Sequence, residues 1–257
     1  MPGTLYLVSM PIGHPDDLTL RALRILRTVP IIAAEDPART KPLLAAHAIE
    51  TPLTSYHDRN KEDKAPVLIR RLQEGESVAL VAEAGTPAVV DPGLVLIRQA
   101  LASGIRVVPV PGPSAALAAV PASGLSGDRF VFEGFLPRRS EARRRSLAVL
   151  RHDARTVILF ETPARLRSTL ATIRSLLGNR RLVLAHDLTK PDEELLRGTV
   201  EEVLKTLASR SLRGDITLVV EGAGRRPAKR SSKTSKEASR RRVSGSSHGR
   251  SGRGVPD

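Results

Sequence analysis

Residues 81–87 read Val-Ala-Glu-Ala-Gly-Thr-Pro, and residues 110–115 read Val-Pro-Gly-Pro-Ser-Ala. Each stretch ends an apolar, β-branched run in a turn of small or rigid residues, a pattern typical of a strand followed by a tight loop. Such loops expose backbone N–H and C=O groups at the carboxyl ends of strands, where α/β proteins bind their ligands. Two of these loops close together in the chain predict a ligand cradle.

The charge of the chain points to a polyanionic partner. The 257 residues carry a formal net charge of +14 and include four Phe, two Tyr and no Trp. Lys and Arg bind nucleic acids by releasing counterions, whereas base stacking needs more aromatic side chains than these. The absence of Cys excludes disulfides, thiolate zinc sites and Cys nucleophiles, and no apolar run is long enough to span a bilayer. We therefore expect a cytoplasmic protein that does not enter a membrane.

Most of the excess positive charge lies at the C-terminus. Residues 225–257 hold eleven Lys or Arg and two acidic residues, whereas residues 1–224 hold 30 and 25. This tail is rich in Ser, Gly, Arg and Lys and offers almost nothing to bury, so it is predicted to be disordered. Two interpretations stay open, namely an electrostatic arm for RNA and a solubilising or dispensable extension.

The remaining chain alternates strand and helix patterns, which predicts an α/β fold with a largely parallel sheet. In a first block, strands are predicted at 4–10, 31–34, 77–82 and 106–110, and helices near 20–26, 43–44, 67–72, 94–102 and from 114. In a second block, strands are predicted at 129–133, 156–161, 181–188 and 215–221, and helices at 140–150, 163–177 and 200–209. The Pro and Gly residues between the blocks predict two α/β domains, 1–120 and 121–224.

Several common site chemistries are excluded by their missing motifs. The chain has no G-x-x-x-x-G-K-[ST] phosphate loop, no G-x-S-x-G elbow and no His-x-x-x-His pair for zinc. No G-x-G-x-x-G follows the first strand, which argues against an ordinary Rossmann domain. The remaining Pro-Gly turns suit a ligand held by backbone groups and a reaction that needs mainly positioning.

Nine short motifs then carry a resemblance, in the order typical of one family. They are Pro11-Ile12-Gly13; Ala34-Glu35-Asp36 with Arg39; Tyr56-His57-Asp58; Ala84-Gly85-Thr86-Pro87 with Asp91-Pro92-Gly93; Pro111-Gly112-Pro113-Ser114-Ala115; Glu133-Gly134-Phe135-Leu136-Pro137; Phe160-Glu161; Leu188-Thr189-Lys190; and Val219-Val220-Glu221-Gly222. From about residue 4 to residue 222 the chain resembles the tetrapyrrole methylase superfamily. Within it, the chain most resembles members that 2′-O-methylate a cytidine ribose in the 16S rRNA of the small ribosomal subunit. The resemblance implies S-adenosylmethionine bound in a folded pose between two α/β domains, and a homodimer.

The resemblance also implies which residues hold the cofactor. They are Pro11, Gly13, Ala84, Gly85, Thr86, Pro87, Pro111, Gly112, Ser114 and Ala115 from the first domain, and Phe160, Leu188 and Thr189 from the second. Ser114 and Ala115 would lie at a helix N-terminus, where backbone dipoles favour a carboxylate. Without the resemblance, Gly13, Gly85 and Gly112 are better explained as turn residues between strands and helices.

Methyl transfer from a sulfonium to an oxygen needs alignment of the two reactants and one proton acceptor, and it requires no metal. The candidates for the proton acceptor are Asp36, Glu83 and His57, and the sequence does not choose among them. A competing interpretation of Glu35-Asp36 is that the pair caps the next helix or binds Arg39.

RNA contact is assigned to basic residues near the predicted site. They are Arg39, Lys190 and the cluster Arg138, Arg139, Arg143, Arg144 and Arg145 that follows the 133–137 motif. A dense set of cations beside the site favours a polyanion. The competing interpretations are a solvated helix face for the arginines and a solvated loop charge for Lys190.

The chain departs from the family pattern at several polar positions. Ala82-Glu83 stands where Ser-Asp is usual, His14 where Asn is usual, and His186-Asp187 where Arg-Glu is usual, and Pro37-Ala38 inserts one residue before Arg39. The glycine turns are kept, so the resemblance determines the cofactor better than the substrate. Two other functions stay open: a methylase of a small tetrapyrrole-like molecule, against which the arginine cluster argues, and a non-catalytic RNA-binding protein with a degenerate site.

Overall fold

The first half of the chain forms a five-stranded sheet in this computed structural model, which describes residues 1–224. Its strands are β1 (Thr4–Val8), β2 (Ile31–Ala34), β3 (Leu53–Ser55), β4 (Val78–Val81) and β5 (Arg106–Val110). They lie in the order β3-β2-β4-β1-β5, and all neighbours are parallel. Val8 is paired with both Val81 and Val110, so β1, β4 and β5 end at the same edge of the sheet. The predicted parallel arrangement is confirmed for this sheet.

Four helices cover both faces of the first sheet. They are α1 (Leu20–Thr28), α2 (Pro37–Ala46), α3 (Lys61–Gln73) and α4 (Leu94–Ala102). One face buries Leu5 against Leu68 of α3, and the other buries Val8 in the cluster that holds Leu26 of α1. Because both faces are covered, every residue of β2 and β4 is buried, which explains their continuous apolar runs.

The second half of the chain forms another five-stranded sheet, of mixed direction. Its strands are β6 (Phe130–Phe135), β7 (Thr156–Glu161), β8 (Arg181–His186), β9 (Glu194–Thr199) and β10 (Ile216–Val220), in the order β6-β7-β10-β8-β9. Only β6 and β7 are parallel, and the other three pairs are antiparallel. The expectation of a largely parallel sheet is therefore wrong here. The 187–193 connection between β8 and β9 is too short for a parallel crossover, which needs a dozen or more residues.

The helices of the second half pack on this second sheet. They are α5 (Ala115–Ser123), α6 (Ser140–Val149), α7 (Pro163–Leu177) and α8 (Val200–Leu207). Helix α5 lies on one face, where Ala119 packs with Val183 and Val219, and the other three helices share a core on the opposite face. Helix α5 thus follows a strand of the first sheet but packs on the second. The boundary predicted after residue 120 falls inside α5, and residues 1–224 make one compact unit, so the division into two domains stays a prediction.

Local details depart from the predicted elements for identifiable reasons. Helix α3 begins at Lys61, before its internal Pro66, and α2 begins at Pro37, where proline is favoured in the first turn. Strand β3 has three residues and β9 is a half-exposed edge strand, so neither shows a continuous apolar run. Within residues 1–224, no helix has the length and apolarity needed to cross a membrane. The tail predicted over 225–257 lies outside the described residues.

Candidate active site

The loops that follow β1 and β4 are fastened together at the carboxyl edge of the first sheet. The N–H of Met10 donates to the carbonyl of Gly85 at 2.8 Å, and the N–H of Gly85 donates to the carbonyl of Met10 at 3.0 Å. The hydroxyl oxygens of Ser9 and Thr86 lie 2.8 Å apart. Gly85 has φ of +71°, a conformation that favours glycine. The 81–87 stretch is therefore held against the first loop through its own backbone.

The loop after β5 approaches the same place. A Cβ on Gly112 would lie 3.0 Å from the Cβ of Ser9, so only glycine fits there without displacing its neighbour. Ser114 is the residue before α5, and its hydroxyl makes no capping hydrogen bond to that helix. The three loops after β1, β4 and β5 thus meet at one point, with the N-terminus of α5 among them.

A cavity of about 370 Å³ opens beside these loops and is closed on its other side by residues of the second sheet. Its volume lies in the range of small-molecule sites. Seven predicted site residues line it, namely Glu83, Ala84, Gly85, Thr86, Ser114, Ala115 and Phe160. Phe135 also lines it, and its ring centroid lies 5.7 Å from that of Phe160. The structure therefore places the loops of residues 81–87 and 110–115, together with Phe160 of the second sheet, around one cavity.

The other predicted cofactor residues lie outside this lining. They are Pro11, Gly13, Pro87, Pro111, Gly112, Leu188 and Thr189. A Cβ on Gly13 would stand 2.6 Å from the hydroxyl oxygen of Thr189, and the N–H of His14 donates to that hydroxyl at 3.0 Å. Leu188 is buried in the cluster that packs α5 on the second sheet. Gly13 and Thr189 therefore join the first loop to the second sheet and do not form the cavity wall.

Five carboxylates line the cavity, and the sequence predicts a catalytic or binding role for only one of them. The five are Glu35, Glu83, Asp91, Glu161 and Asp215, of which only Glu83 was a predicted site residue. Glu35 directly follows β2, and Glu161 ends β7. An acidic residue at the end of a buried strand is visible in the sequence motifs and could have indicated a site residue. The sequence alone does not show which strand ends lie together in the fold.

Two carboxyl groups of the cavity wall, Glu35 and Asp91, have raised pKa values. Burial raises the pKa of Glu35; the charges of Asp58 and Asp36 raise that pKa further, while His57 lowers it. Burial, followed by the charges of Glu35 and Asp58, raises the pKa of Asp91 to about 7. The cavity wall therefore holds a carboxyl group that exchanges its proton near neutral pH.

The three candidate proton acceptors have different surroundings. Asp36 caps α2, and its Oδ1 accepts from the N–H of Ala38 at 2.9 Å and of Arg39 at 3.2 Å. Glu83 forms an ion pair with Arg39. Within residues 1–224, Nδ1 of His57 is buried without a hydrogen-bond partner. Of the three, Glu83 alone is among the residues that line the cavity.

The arginine cluster is exposed with one exception. Arg138, Arg139, Arg144 and Arg145 are exposed, whereas Arg143 is 7% exposed. Arg143 therefore does not belong to the exposed helix face proposed for residues 143–145. It is turned inward because it lies four residues before the buried Leu147, on the same side of α6.

Lys190 is held by two carboxylates instead of standing free in its loop. Its amine donates to Asp187 and to Asp215, at 2.6 Å each. These bonds raise the pKa of Lys190, although its burial acts in the opposite direction as the largest single influence. The competing interpretation of a solvated loop charge is therefore wrong.

The departures from the family pattern serve local structure. Nδ1 of His14 accepts from the N–H of Asp16 at 3.2 Å and caps a short 3-10 turn. Pro37 occupies the first turn of α2, and Arg39 still reaches Glu83. Nε2 of His186 contacts the carbonyl of Arg213. His14 and His186 thus each make a local contact, and Pro37 leaves the ion pair between Arg39 and Glu83 in place.

Comparison with known proteins relates these features to one family. The sequence profile of the Tetrapyrrole (Corrin/Porphyrin) Methylases matches residues 4–204. The chain is 46% identical over 222 residues to ribosomal RNA small subunit methyltransferase I of Halalkalibacterium halodurans, covering 86% of this chain and 77% of that protein. It is also 46% identical over 225 residues to the protein of the same name from Xylella fastidiosa, covering 86% of this chain and 82% of that one.

A solved structure shares the fold at lower sequence identity. The uroporphyrin-III C-methyltransferase of Thermus thermophilus, in complex with S-adenosylhomocysteine, superposes with a TM-score of 0.61 at 21% identity, covering 85% of this chain and 97% of that one. At this identity the likeness concerns the fold alone. The resemblance predicted from the motifs is confirmed by the profile and by the two relatives. The chain therefore belongs to the tetrapyrrole methylase family and, within it, to the group of the ribosomal RNA small subunit methyltransferase I proteins.

Proposed function

We propose that this chain is a methyltransferase that uses S-adenosylmethionine to modify the RNA of the small ribosomal subunit, at the 2′-hydroxyl of a cytidine ribose. The observation that carries the proposal is the 46% identity, over 86% of the chain, to two proteins named ribosomal RNA small subunit methyltransferase I. The tetrapyrrole methyltransferase of known structure is 21% identical. The sequence likeness therefore favours RNA over a tetrapyrrole as the substrate.

The residues of the cavity suit S-adenosylmethionine. Phe135 and Phe160 offer aromatic surface to its adenine, and Ser114 at the start of α5 offers a hydroxyl and helix amides to its carboxylate. The carboxylates of Glu35 and Asp91 offer negative charge to a cationic group. When bound, the cofactor supplies a methyl group activated by a positively charged sulfur.

The protein itself aligns the two reactants and provides a proton acceptor. The backbone of Gly85 is held against the first loop by its two hydrogen bonds with Met10, which suits a reaction governed by alignment. We assign proton removal to Glu83, because Asp36 and His57 lie outside the cavity lining. Glu83→Gln is expected to slow single-turnover methyl transfer by about 10²–10⁴-fold. Glu83→Asp, which restores the carboxylate common in the family, is expected to recover most of the rate.

Exposed arginines beside the cavity are proposed to bind the RNA backbone. Arg39 is paired with Glu83 at the cavity wall, and Arg138 and Arg139 follow the cavity residue Phe135 by a few positions. Arg144 and Arg145 on α6 extend this basic surface. Arg143 is buried and Lys190 is bound to two carboxylates, so both are expected to contribute less.

The experiment measures methyl incorporation from S-adenosylmethionine into small ribosomal subunits that lack the mark. We expect stoichiometric labelling that makes one cytidine linkage resistant to alkali. Arg138→Ala with Arg139→Ala is expected to weaken subunit binding and to reduce its salt dependence by about one unit of slope per arginine. The matched control removes Arg24 and Arg98, which are exposed on other helices. Labelling of a tetrapyrrole in place of the subunit would overturn the proposal.

Assembly and location follow from the same proposal. We infer a homodimer from the family resemblance, which light scattering of the purified chain tests directly. We infer a cytoplasmic location because the small ribosomal subunit is the proposed substrate.

A further inference from the structure

The cavity is acidic in a chain that is basic. Residues 1–224 hold 30 Lys or Arg against 25 Asp or Glu, and the whole chain has a net charge of +14. Five carboxylates line the cavity, and neither Lys nor Arg is among its lining residues within the described part of the chain. The local charge of the wall is therefore opposite in sign to that of the protein.

Three of the five carboxylates form an ion pair with a Lys or Arg side chain. Glu83 pairs with Arg39, Glu161 lies 3.1 Å from Nε of Arg165, and Asp215 accepts from Lys190 at 2.6 Å. Each of these three acids therefore has a basic side chain of the protein as its ion-pair partner.

Glu35 and Asp91 have no such ion-pair partner within residues 1–224. Neither side chain makes an ion pair or a hydrogen bond to another part of residues 1–224. Glu35 follows β2, and its N–H donates to the carbonyl of Val81 at the end of the neighbouring β4. Asp91 lies in the loop after β4, where Ala88 and Val90 have φ of +65° and +76°. Within residues 1–224 the fold thus holds two partly buried carboxylates at one cavity wall with no Lys or Arg paired to them, and only His57 opposes the raised pKa of Glu35.

We propose that Glu35 and Asp91 make the cavity selective for a positively charged ligand, so that S-adenosylmethionine is held more tightly than S-adenosylhomocysteine, whose sulfur is uncharged. This inference rests on the proposed use of S-adenosylmethionine and deepens it. The two compounds differ by one methyl group and one positive charge, so a cavity of this sign distinguishes them by electrostatics. Loss of the charge on methyl transfer then favours release of the product.

The titration of the two acids agrees with this selectivity. Burial and the charges of Glu35 and Asp58 raise the pKa of Asp91 to about 7, and burial with Asp58 and Asp36 raises the pKa of Glu35 against the opposing influence of His57. A nearby cation lowers such pKa values, so the binding of a cationic ligand releases protons near neutral pH. The affinity for the charged compound is therefore expected to increase as the pH rises through about 7.

The experiment is calorimetric titration of the full chain with each compound at about pH 6, 7 and 8. For S-adenosylmethionine we expect proton release, seen as a dependence of the measured heat on the ionisation heat of the buffer, and affinity that increases with pH. For S-adenosylhomocysteine we expect affinity that varies little over the same range. At pH 8 the native chain is expected to prefer the charged compound by about tenfold or more.

Variants in which Asp91 or Glu35 is replaced by its uncharged amide test whether these two carboxylates cause the preference, as opposed to other features of the cavity. Asp91→Asn and Glu35→Gln are each expected to reduce the preference by about threefold, so that the two substitutions together remove a preference of about tenfold, with little effect on S-adenosylhomocysteine. Glu50→Gln is the matched control, since Glu50 is exposed and lies outside the cavity. Circular dichroism checks that each variant is folded, and the proton release of the native chain needs no variant.

The outcomes distinguish this inference from the proposed function. Equal affinity of the native chain for both compounds, or a preference that survives both substitutions, would overturn the inference and leave methyl transfer standing. Failure of the native chain to bind either compound would overturn the proposed function and, with it, the inference.

Discussion

Thr169→Val removes one hydroxyl from a buried polar group behind the cavity wall. Thr169 is 0% exposed, and its hydroxyl donates to Oε2 of Glu161. The same carboxylate accepts from the N–H of Thr162 at 2.8 Å and from Nη2 of Arg165 at 3.2 Å. Valine keeps the shape of threonine but offers no donor, so the substitution tests the hydrogen bond alone.

The expected loss follows from the charge on the acceptor. A hydrogen bond to a charged group contributes about 1.5–3 kcal/mol, more than a neutral bond, because a buried charge that loses a partner keeps its desolvation cost. Glu161 retains two donors, so we expect a loss of about 2 kcal/mol in the free energy of unfolding. For a unit of this size the loss corresponds to a fall of about 4–8 °C in Tm.

Urea and thermal unfolding of the full chain measure this loss. Thr28→Val is the matched control, because Thr28 is exposed and its hydroxyl donates within its own helix, to the carbonyl of Arg24 at 3.0 Å. The control is expected to change stability by less than about 0.5 kcal/mol. A loss for Thr169→Val as small as that of the control would refute the reasoning. A cycle with Glu161→Gln is expected to give a coupling of at least about 1 kcal/mol between the two side chains.

Three further predictions concern the loops of the site. Gly13→Ala is expected to cost about 1–3 kcal/mol, because its Cβ would stand 2.7 Å from the carbonyl oxygen of Leu188. Urea unfolding beside Gly224→Ala, whose Cβ would meet nothing within 4 Å, measures this, and equal effects of the two variants would contradict the contact. The pKa of Asp91 is raised to about 7, so its carboxyl binds a proton more tightly in the folded state than in the unfolded state. The native chain therefore loses this contribution to its free energy of unfolding as the pH rises from about 4 to 7. Asp91→Asn has no such proton to lose, so we expect its stability to increase relative to that of the native chain over this range. Thermal unfolding at about pH 5 and pH 8 tests the sign, and a difference that does not change with pH speaks against it. Glu83→Gln is expected to change stability by less than about 1 kcal/mol, because its ion pair with Arg39 is exposed. A loss above about 2 kcal/mol in urea unfolding would show that the pair contributes more than an ordinary surface pair.

Local signals predicted the elements better than their arrangement. Helices α4 and α7 have the predicted bounds, since apolar spacing and the flanking Gly and Pro residues determine where a helix begins and ends. The antiparallel pairs of the second sheet were not predicted. Strand direction depends on how the chain returns after each strand, and the edge strand β9 shows no apolar run from which to recognise the return.

The candidate site, too, has parts that the sequence predicts and parts that it does not. The glycine turns at 81–87 and 110–115 were recognised because backbone conformation restricts residue type locally. The unmatched carboxylates of Glu35 and Asp91 were not recognised, because whether a charge has a partner depends on which loops the fold brings together. The inward turn of Arg143 likewise depends on the packing of α6.

The sequence by itself determined the α/β class, the tight loops after β4 and β5, and the family, since turn geometry and motif order are properties of short segments. The tertiary structure alone decided that these loops meet the second sheet around an acidic cavity, and which charges are paired there. The reason is that Coulomb interactions and burial depend on distances between residues far apart in the chain, which a local pattern does not contain.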